Sequence, residues 1–376
     1  MRGTILSLLL CLAAAPGWAA SHAAASADGI GNPAIAYLGV WEHKIDVVDL
    51  DKGAVLDQIN VNTDVVRRLI LSPDHKKLIV ATMAHNGFAT VDLATRTVSD
   101  YFNLDHDNKQ IRLSGDAIDP TGRYIYSIAT TVTKDIDYYE ISKPQFVVID
   151  LQAKGIARMA DLPKGESAPG YRGAMKVSPD GKLLYLFRNG GIEVFDTSDF
   201  KLVKTIELKR PPNADMENLS FSVEDDPNED PGKVIGLFRF TDPFVHRETF
   251  GIATIDLENL SYDLTPVGPV TTTSMEPLML NPDRTLGYTA VIYGYNGNRI
   301  TEFWVFDMKT KQIIAKKQFT GRTRFNFAMS ADGSKLLIYN AGYQIEEYDA
   351  KTLDMIKDID LEGTTTSNLI VMPEHD

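Results

Sequence analysis

The sequence predicts an all-β protein, a seven-bladed β-propeller, and three observations support that prediction. The first is a phrase of two or three mostly β-branched or aromatic residues followed by Asp and a turn. Its seven copies end at Asp49, Asp92, Asp150, Asp196, Asp256, Asp307 and Asp349. A strand-rich repeat of roughly 50 residues is typical of propeller blades. Because Asp readily forms turns, we interpret these residues as turn-formers at strand ends and not as catalytic acids.

The second observation is a turn phrase that lies between apolar runs. Its clear copies are Ser72-Pro73-Asp74-His75, Asp119-Pro120-Thr121-Gly122, Ser178-Pro179-Asp180-Gly181, Asn281-Pro282-Asp283-Arg284 and Ser330-Ala331-Asp332-Gly333. Pro presets the first central position of a β-turn, and Asp and Gly accept the conformations that follow. The phrase is missing between residues 210 and 245, so that blade is the least well defined by sequence.

The third observation is the strand, turn, strand pattern from Ala34 onward, without a long segment of helical periodicity. The predicted strands at the start are Ala34–Val40, Ile45–Leu50, Val55–Val61, Val65–Ser72 and Leu78–Met83. We predict that Thr366–Met372 supplies the inner strand of the blade that Ala34–Val61 begins. Pairing of the N- and C-terminal strands would close the ring and remove an exposed sheet edge.

The N-terminus predicts export. A short apolar run follows Arg2, and small residues follow that run, so residues 1–23 are interpreted as a signal peptide. Residues 24–33 are predicted to be flexible, and residues 34–376 to form one propeller domain in the periplasm. Cys11 is the only cysteine and lies in the leader. The mature chain therefore cannot form a disulfide, a thiolate metal site or a thioether-linked haem.

The formal net charge of −13 limits the partners. It argues against nucleic acid and against anionic membrane surfaces, and the basic residues form no run. Two interpretations of the acidity stay open. It is the ordinary composition of a soluble exported protein, or it serves a cationic substrate or a basic partner.

Three insertions interrupt the even spacing and are predicted to be surface loops, namely Thr130–Pro144, Lys209–Pro231 and Asp242–Glu248. The candidate substrate-pocket or partner-contact residues are Tyr138, Tyr139, Tyr171 and Phe244. Strand aromatics such as Trp304 and Phe238 are instead predicted to pack between blades.

No self-contained catalytic or metal site can be assigned from the motifs. Acidic residues cluster in Glu224–Gly232, but they lack the glycine and glutamate positions of a helix-flanked calcium loop, and we interpret them as a solvated loop. The histidines form no HxH or HExxH pair. Neither a nucleophile elbow, a phosphate loop nor a haem-attachment motif occurs.

Longer stretches carry a family resemblance. Ser114–Leu151, Leu237–Glu258 and Ser330–Asp354 resemble the β subunit of quinohaemoprotein amine dehydrogenase, a YVTN-type propeller. The long excursion that ends at Lys143-Pro144 is the most specific of these features. The repeat phrases themselves occur in many unrelated propellers.

The resemblance implies a subunit of a periplasmic heterotrimer with no cofactor and no catalytic residue of its own. A small subunit would hold a cysteine tryptophylquinone, and a dihaem cytochrome c subunit would hold the haem c groups. This chain would seat the small subunit and help enclose the site of primary-amine oxidation. The alternatives are a stand-alone propeller, either a lactonase-like hydrolase or a binding module, and the heavy subunit of methylamine dehydrogenase. Whether the chain is itself an enzyme stays open.

Overall fold

A computed structural model describes most of the chain between residues 34 and 372. The described residues are 34–61, 64–83, 87–163, 175–188, 190–208, 217–222, 230, 232–242, 244, 246–294, 298–319, 326–339 and 342–372. Within them every regular element is a strand, and the strands form seven antiparallel sheets, the blades. In this part of the chain no helix is long or apolar enough to cross a membrane.

The blades follow one another along the chain, and the strands of each blade are ordered from the inside of the ring to its outside. Blade 1 contains β30 (Thr365–Val371), β1 (Ile35–Val40), β2 (Lys44–Asp49) and β3 (Ala54–Asn60). Blade 2 contains β4 (Val66–Leu71), β5 (Lys77–Thr82), β6 (Gly87–Asp92) and β7 (Thr97–Asn103). Blade 3 contains β8 (Lys109–Ile118), β9 (Tyr124–Lys134), β11 (Gln145–Asp150) and β12 (Gly155–Asp161), and the short β10 (Tyr139–Ile141) also pairs with β9.

The remaining blades have the same strand order. Blade 4 contains β13 (Met175–Val177), β14 (Leu183–Arg188), β15 (Gly191–Asp196) and β16 (Leu202–Glu207). Blade 5 contains β17 (Glu217–Ser222), β18 (Lys233–Asp242), β19 (Arg247–Asp256) and β20 (Ser261–Pro269). Blade 6 contains β21 (Ser274–Met275), β22 (Met279–Leu280), β23 (Leu286–Tyr293), β24 (Ile300–Asp307) and β25 (Gln312–Phe319). Blade 7 contains β26 (Asn326–Met329), β27 (Lys335–Tyr339), β28 (Gln344–Asp349) and β29 (Met355–Asp360).

The core is divided among seven apolar clusters, each lying between two neighbouring blades. Alternate residues of one strand serve different clusters: Val47 packs toward blade 2, whereas Val48 packs toward blade 7. Because the middle strands are buried on both faces, they read as nearly continuous apolar runs. The prediction that Trp304 and Phe238 pack between blades is confirmed, since both side chains are buried in these clusters.

The predicted closure of the ring is confirmed. β30 pairs antiparallel with β1, so that Val371 lies opposite Ala36 and Leu369 opposite Leu38. The closing strand also contacts the next blade: the side-chain amide of Asn368 donates to the carbonyl of Leu69 at 3.0 Å and accepts from its N–H at 2.9 Å. The inner strands of blades 1 and 2 are therefore joined by hydrogen bonds as well as by packing.

Six outer strands carry a bulge at the same level, opposite the residues just before the strand-ending Asp. The extra residue is an exposed apolar side chain in four blades, namely Leu56, Val203, Ile314 and Ile356. A bulge leaves one residue unpaired and increases the local twist of the strand. The position of these exposed residues thus follows from the bulge.

Two of the predicted insertions have a different structure from a simple loop. Thr130–Lys134 belongs to β9, and β10 pairs back onto it, so the first insertion extends blade 3 as a β-hairpin. The second insertion is not one segment, because β17 runs through it and separates its basic start from its acidic end. Much of both halves, including most of Glu224–Gly232, lies outside the described residues.

The ring has two faces that differ in their connections. The turn face carries the connections between first and second strands and between third and fourth strands of each blade. The loop face carries the connections between second and third strands and those that lead from one blade to the next. Both repeated turn phrases lie on the turn face.

Candidate functional site

The seven repeated Asp residues hold turns on the turn face. Each carboxylate accepts at least one backbone N–H from two or three residues later, at 2.7 to 3.0 Å. All seven carboxyl groups have a lowered pKa, and for Asp92, Asp256, Asp307 and Asp349 the bond from a backbone N–H is the largest cause. The prediction that they form turns at strand ends is confirmed, and a lowered pKa does not suit a general acid.

Asp150 is held most firmly of the seven. The Arg123 side chain donates to it through Nη2 at 2.7 Å and through Nε at 3.2 Å, and backbone N–H groups of Gln152 and Ala153 also donate. The hydrogen bonds from Arg123 are the main reason that the pKa of Asp150 falls to about 2. Arg123 belongs to the other turn phrase of the same blade, so the two turn families are tied together.

Both turn families place a residue in the left-handed backbone region. In the Asp turns this is always the fourth residue after Asp, and it is glycine only at Gly53. Phe200 has φ 58° there, and its ring stacks on Phe146 with centroids 4.6 Å apart. At Phe200, core packing of the side chain thus compensates for the backbone cost of a non-glycine residue.

In the second turn family the requirement for glycine comes from the preceding blade. A Cβ at Gly333 would lie 2.6 Å from Cδ of Pro282, and one at Gly122 would lie 3.1 Å from Cδ of Pro73. His75 and Arg284 occupy the equivalent position with φ 55° and 58°. Blade 1 precedes His75 and has no copy of the Pro turn, whereas the Arg284 turn meets blade 5 through an ion pair, with Nη1 of Arg284 3.6 Å from Oδ2 of Asp230. Glycine is therefore required where a Pro of the preceding blade packs against this position, and a side chain is accommodated at His75 and Arg284.

The loop face exposes apolar side chains instead. The large exposed apolar residues of the described chain lie either on outer strands or on this face, where they are Trp41, Met83, Ile136, Tyr138, Tyr139, Ile141, Phe244, Ile300 and Tyr343. Exposed apolar groups that lie close together are typical of interaction sites, and on this face Ile136, Tyr138, Tyr139 and Ile141 lie within one segment of six residues. The loop face is accordingly the candidate functional site.

The structure places three of the four predicted site residues on the loop face. Tyr138 and Tyr139 are 58% and 64% exposed in the blade 3 hairpin, and Phe244 is 81% exposed in the turn between β18 and β19. Blade 4 separates the hairpin from Phe244, so these residues do not form one cluster within a single blade. Tyr171 lies outside the described residues, and a role for all four residues stays a prediction.

The turn that carries Phe244 is built like the turns of the opposite face. Asp242 accepts the N–H of Phe244 at 2.8 Å with its side chain and the N–H of His246 at 2.8 Å with its carbonyl. His246 is the fourth residue after Asp242 and has φ 50°. The third insertion is therefore a short turn between two lengthened strands, held by the same Asp geometry as the repeat.

Sequence reasoning missed Ile136 and Ile141, which belong to the same hairpin as the two tyrosines. Ile136 is fully exposed at the tip, and Ile141 is 68% exposed on β10. The sequence feature that could have identified them is an isoleucine on each side of the Tyr-Tyr pair within an acidic segment. We now define the blade 3 hairpin as residues 134–141.

Two buried carboxylates lie between blades 7 and 1, outside the loops. Asp46 is fully buried; one oxygen accepts from Nε2 of Gln58 at 2.9 Å, while the other finds no hydrogen-bond partner in the described structure. Burial raises the pKa of Asp46. It lies toward the loop face, since Glu362 of the connection into β30 is a further cause of that rise.

The second buried carboxylate, Glu347, lies toward the turn face. Nζ of Lys335 and Nζ of Lys357 each come within 3.6 Å of it, and Lys357 also donates to the carbonyl of Leu50 at 2.6 Å. Burial raises the pKa of Glu347 and the two lysines oppose that rise. The lysines identify Glu347 as a structural ion pair at the seam between the last and first blades.

Within the described ranges no three His, Cys, Asp or Glu side chains come together in a way that could hold a metal ion. The predicted absence of a metal or cofactor in this chain stays a prediction.

Comparisons with known proteins add the fold and nothing finer. No family model matches the chain, and no curated protein matches its sequence. Among solved structures the chain is similar to Kuenenia stuttgartiensis hydrazine synthase, with 14% identity over 80% of this chain and 88% of that chain and a TM-score of 0.51. It is also similar to the dihydro-heme d1 dehydrogenase NirN in complex with DHE, with 15% identity over 91% of this chain and 76% of that chain and a TM-score of 0.55.

A third similar structure is a functionally unknown protein from Desulfotomaculum acetoxidans. Its identity is 13% over 91% of this chain and 99% of that chain, and its TM-score is 0.53. At such identities the likeness supports the propeller fold, whereas the activity has to be argued from the loop face.

Proposed function

We propose that the chain is the propeller subunit of a periplasmic quinohaemoprotein amine dehydrogenase. In this role it carries no cofactor, seats the quinone-bearing small subunit and helps enclose the site where primary amines are oxidatively deaminated. The quinone and haem c belong to partner subunits in this proposal. Enclosure would keep water from a reactive quinone and from iminium intermediates.

The observation that carries the proposal is the difference between the two faces. Tyr138, Tyr139 and Phe244 expose large ring surfaces on the loop face, and aromatic residues are enriched in protein interfaces. The charged groups of the turn face are instead bound within their own turns. A scaffold subunit needs a stable framework and an exposed surface that can bind a partner, and the two faces are suited to these roles.

Three further features support the proposal. The stretches Ser114–Leu151, Leu237–Glu258 and Ser330–Asp354 resemble the family's β subunit. The leader favours export, and the cysteine-free mature sequence suits a subunit whose redox groups lie elsewhere. A hydrazine synthase and a dehydrogenase are among the proteins similar in fold, so propellers of this shape occur in redox enzymes.

The test is a gentle affinity purification of the tagged, exported protein from its native host grown on a primary amine. We expect a c-type haem protein and a small chain that stains for quinone to co-elute with it. Visible absorbance and redox staining of the eluate identify both. A colourless protein that elutes alone would contradict the proposal and would favour the stand-alone alternatives, a hydrolase or a binding module.

A further inference from the structure

The blade 3 hairpin has an open strand edge. Its turn is closed by the N–H of Asp135, which donates to the carbonyl of Tyr138 at 2.9 Å, and the N–H of Ser142 donates to Thr131 at 2.9 Å. Peptide groups in an antiparallel pair alternate between facing the partner strand and facing away. With Tyr138, Glu140 and Ser142 facing β9, the N–H and C=O groups of Tyr139 and Ile141 face outward.

No other strand of the described structure covers this edge, because β10 ends the order of its sheet. The register of β10 on β9 runs without a shift, whereas the outer strands of six blades are interrupted by bulges. Bulges and short, charged edges prevent pairing with a foreign strand. β10 is short and holds one charge, Glu140, but its register is regular and its Tyr139 and Ile141 side chains are accessible.

The side chains of the hairpin add an apolar surface to the open backbone. Tyr139 and Ile141 are alternate residues and share one side of β10, where both are largely exposed. Ile136 and Tyr138, at the tip of the hairpin, are also largely exposed. An added strand would thus gain main-chain hydrogen bonds together with contacts for alternate side chains, which is how edge strands bind extended peptides.

The acidic residues near the open edge of β10 indicate the charge of a segment that could pair with it. The loop before β8 packs against the hairpin, because Nδ2 of Asn108 donates to the carbonyl of Lys134 at 2.8 Å. The hairpin itself holds Asp135, Asp137 and Glu140 against Lys134, and Lys143 lies two residues beyond it. The loop reaches the hairpin from the opposite side of β9 and adds Asp105 and Asp107 against Lys109. This excess of acids repels a second copy of the same acidic chain and an anionic bilayer, and it attracts a basic segment.

We infer that β10 is a docking strand that pairs with an extended segment of a protein partner, apolar at alternate positions and flanked by Lys or Arg. The inference deepens the proposed function, because the partner in that proposal is a subunit of the same dehydrogenase. The strand pairing itself depends only on the hairpin. A test of strand pairing can therefore succeed or fail independently of the proposal that the chain is an amine dehydrogenase subunit.

The experiment compares Ile141→Pro with Ile141→Ala in the full-length exported protein. Proline removes the outward N–H and is tolerated at an edge whose N–H faces solvent, whereas alanine keeps the N–H and removes most of the side chain. The control is Ile314→Pro on the bulged outer strand of blade 6. Circular dichroism and thermal melts establish that each variant folds, and retention of the native partner is measured against concentration.

We expect the wild type and the Ile314 control to retain the partner equally, and Ile141→Pro to weaken retention about tenfold, more than Ile141→Ala does. In the complex, hydrogen exchange at the Tyr139 and Ile141 amides should slow. Equal retention by Ile141→Pro would overturn the inference while leaving the proposed function intact.

The remaining outcomes are equally decisive. A partner without haem or quinone that is lost with Ile141→Pro, and that protects the same two amides, would uphold the docking strand and contradict the amine dehydrogenase. Retention of no partner by any variant would overturn the docking strand, as would a dimer of the purified wild type on light scattering that Ile141→Pro abolishes.

Discussion

The turn face and the loop face of this ring are made by the same strands yet differ in the side chains that they expose. On the turn face, Asp150 is bound by Arg123 and by its own turn, and Gly333 packs under Pro282 of the preceding blade. On the loop face, Ile136 and Phe244 extend into solvent. The repeated half of each blade therefore supports stability, while the half that varies between blades is available for binding.

The largest expected effect comes from opening the ring, because that would disturb the turn face and the loop face together. Deleting residues 366–376 removes nearly all of β30 and leaves β1 without its inner partner. We expect the melting temperature to fall sharply, and an unchanged value would disprove the importance of this closure. A chain that ends after Met372 keeps β30 and serves as the control, with thermal unfolding followed by circular dichroism.

The next effect concerns the seam between blades 7 and 1. Lys335→Met leaves the buried carboxylate of Glu347 with only Lys357 to oppose the rise in pKa that burial causes, and we expect the free energy of unfolding to fall by about 2 kcal/mol. Urea unfolding should show this loss. Asp358→Asn on β29, where the side chain is exposed, should have little effect. Equal stability of the two variants would show that the buried ion pair contributes nothing.

A comparison of acids on opposite faces comes third. Asp150→Ala removes the acceptor for Arg123 and for two backbone N–H groups, and we expect a loss of about 2 kcal/mol. Asp137→Ala in the exposed hairpin should change stability by less than about 0.5 kcal/mol. If both variants unfold at the same urea concentration, the two faces do not differ as we describe.

The fourth effect tests packing between turns. Gly333→Ala places a methyl group against Pro282 at φ 68° and should cost about 1–2 kcal/mol. The control is Arg284→Ala at the equivalent turn position, which keeps a Cβ there and loses a partly exposed ion pair with Asp230, so its free energy of unfolding should change by less than about 1 kcal/mol. A neutral Gly333→Ala would mean that the turns of adjacent blades are not in firm contact.

The smallest effect has the opposite sign and depends on pH. The pKa of Asp46 is raised by burial, so its protonated form favours folding and this contribution is lost as pH rises through the folded-state pKa. Asp46→Asn should therefore be more stable than wild type by about 1 kcal/mol at pH 7. The difference should vanish below the ordinary carboxyl pKa of 3.8. A pH-independent difference between the two melting curves would argue against titration of Asp46.

Turn chemistry made the blades predictable from sequence. Asp at strand ends and the Pro-Asp-Gly phrases have local physical causes, so they mark strand boundaries even in one sequence. The left-handed position after each Asp was missed because only Gly53 shows the expected residue. At Phe200 and Leu353 the backbone cost is offset by burial against other strands, and that packing cannot be seen in a local pattern.

The candidate site was less predictable for a related reason. β10 is exposed on both sides, so Tyr138–Ile141 shows no alternation of apolar and polar residues and resembles a loop in sequence. Asp46 and Glu347 look like ordinary polar strand residues because their burial depends on the neighbouring blade. Contacts between blades join residues far apart in the chain, and local patterns contain no record of them.

The closure of the ring also fixes the orientation of the chain ends. β1 begins and β30 ends on the turn face, where the N–H of Met372 donates to the carbonyl of Ile35 at 3.0 Å. A tag, an anchor or a fused domain joined to either end of the described chain would start from the side opposite the hairpin. A molecule held by a short linker at residue 34 or residue 372 would thus present Tyr139 and Phe244 on its free side.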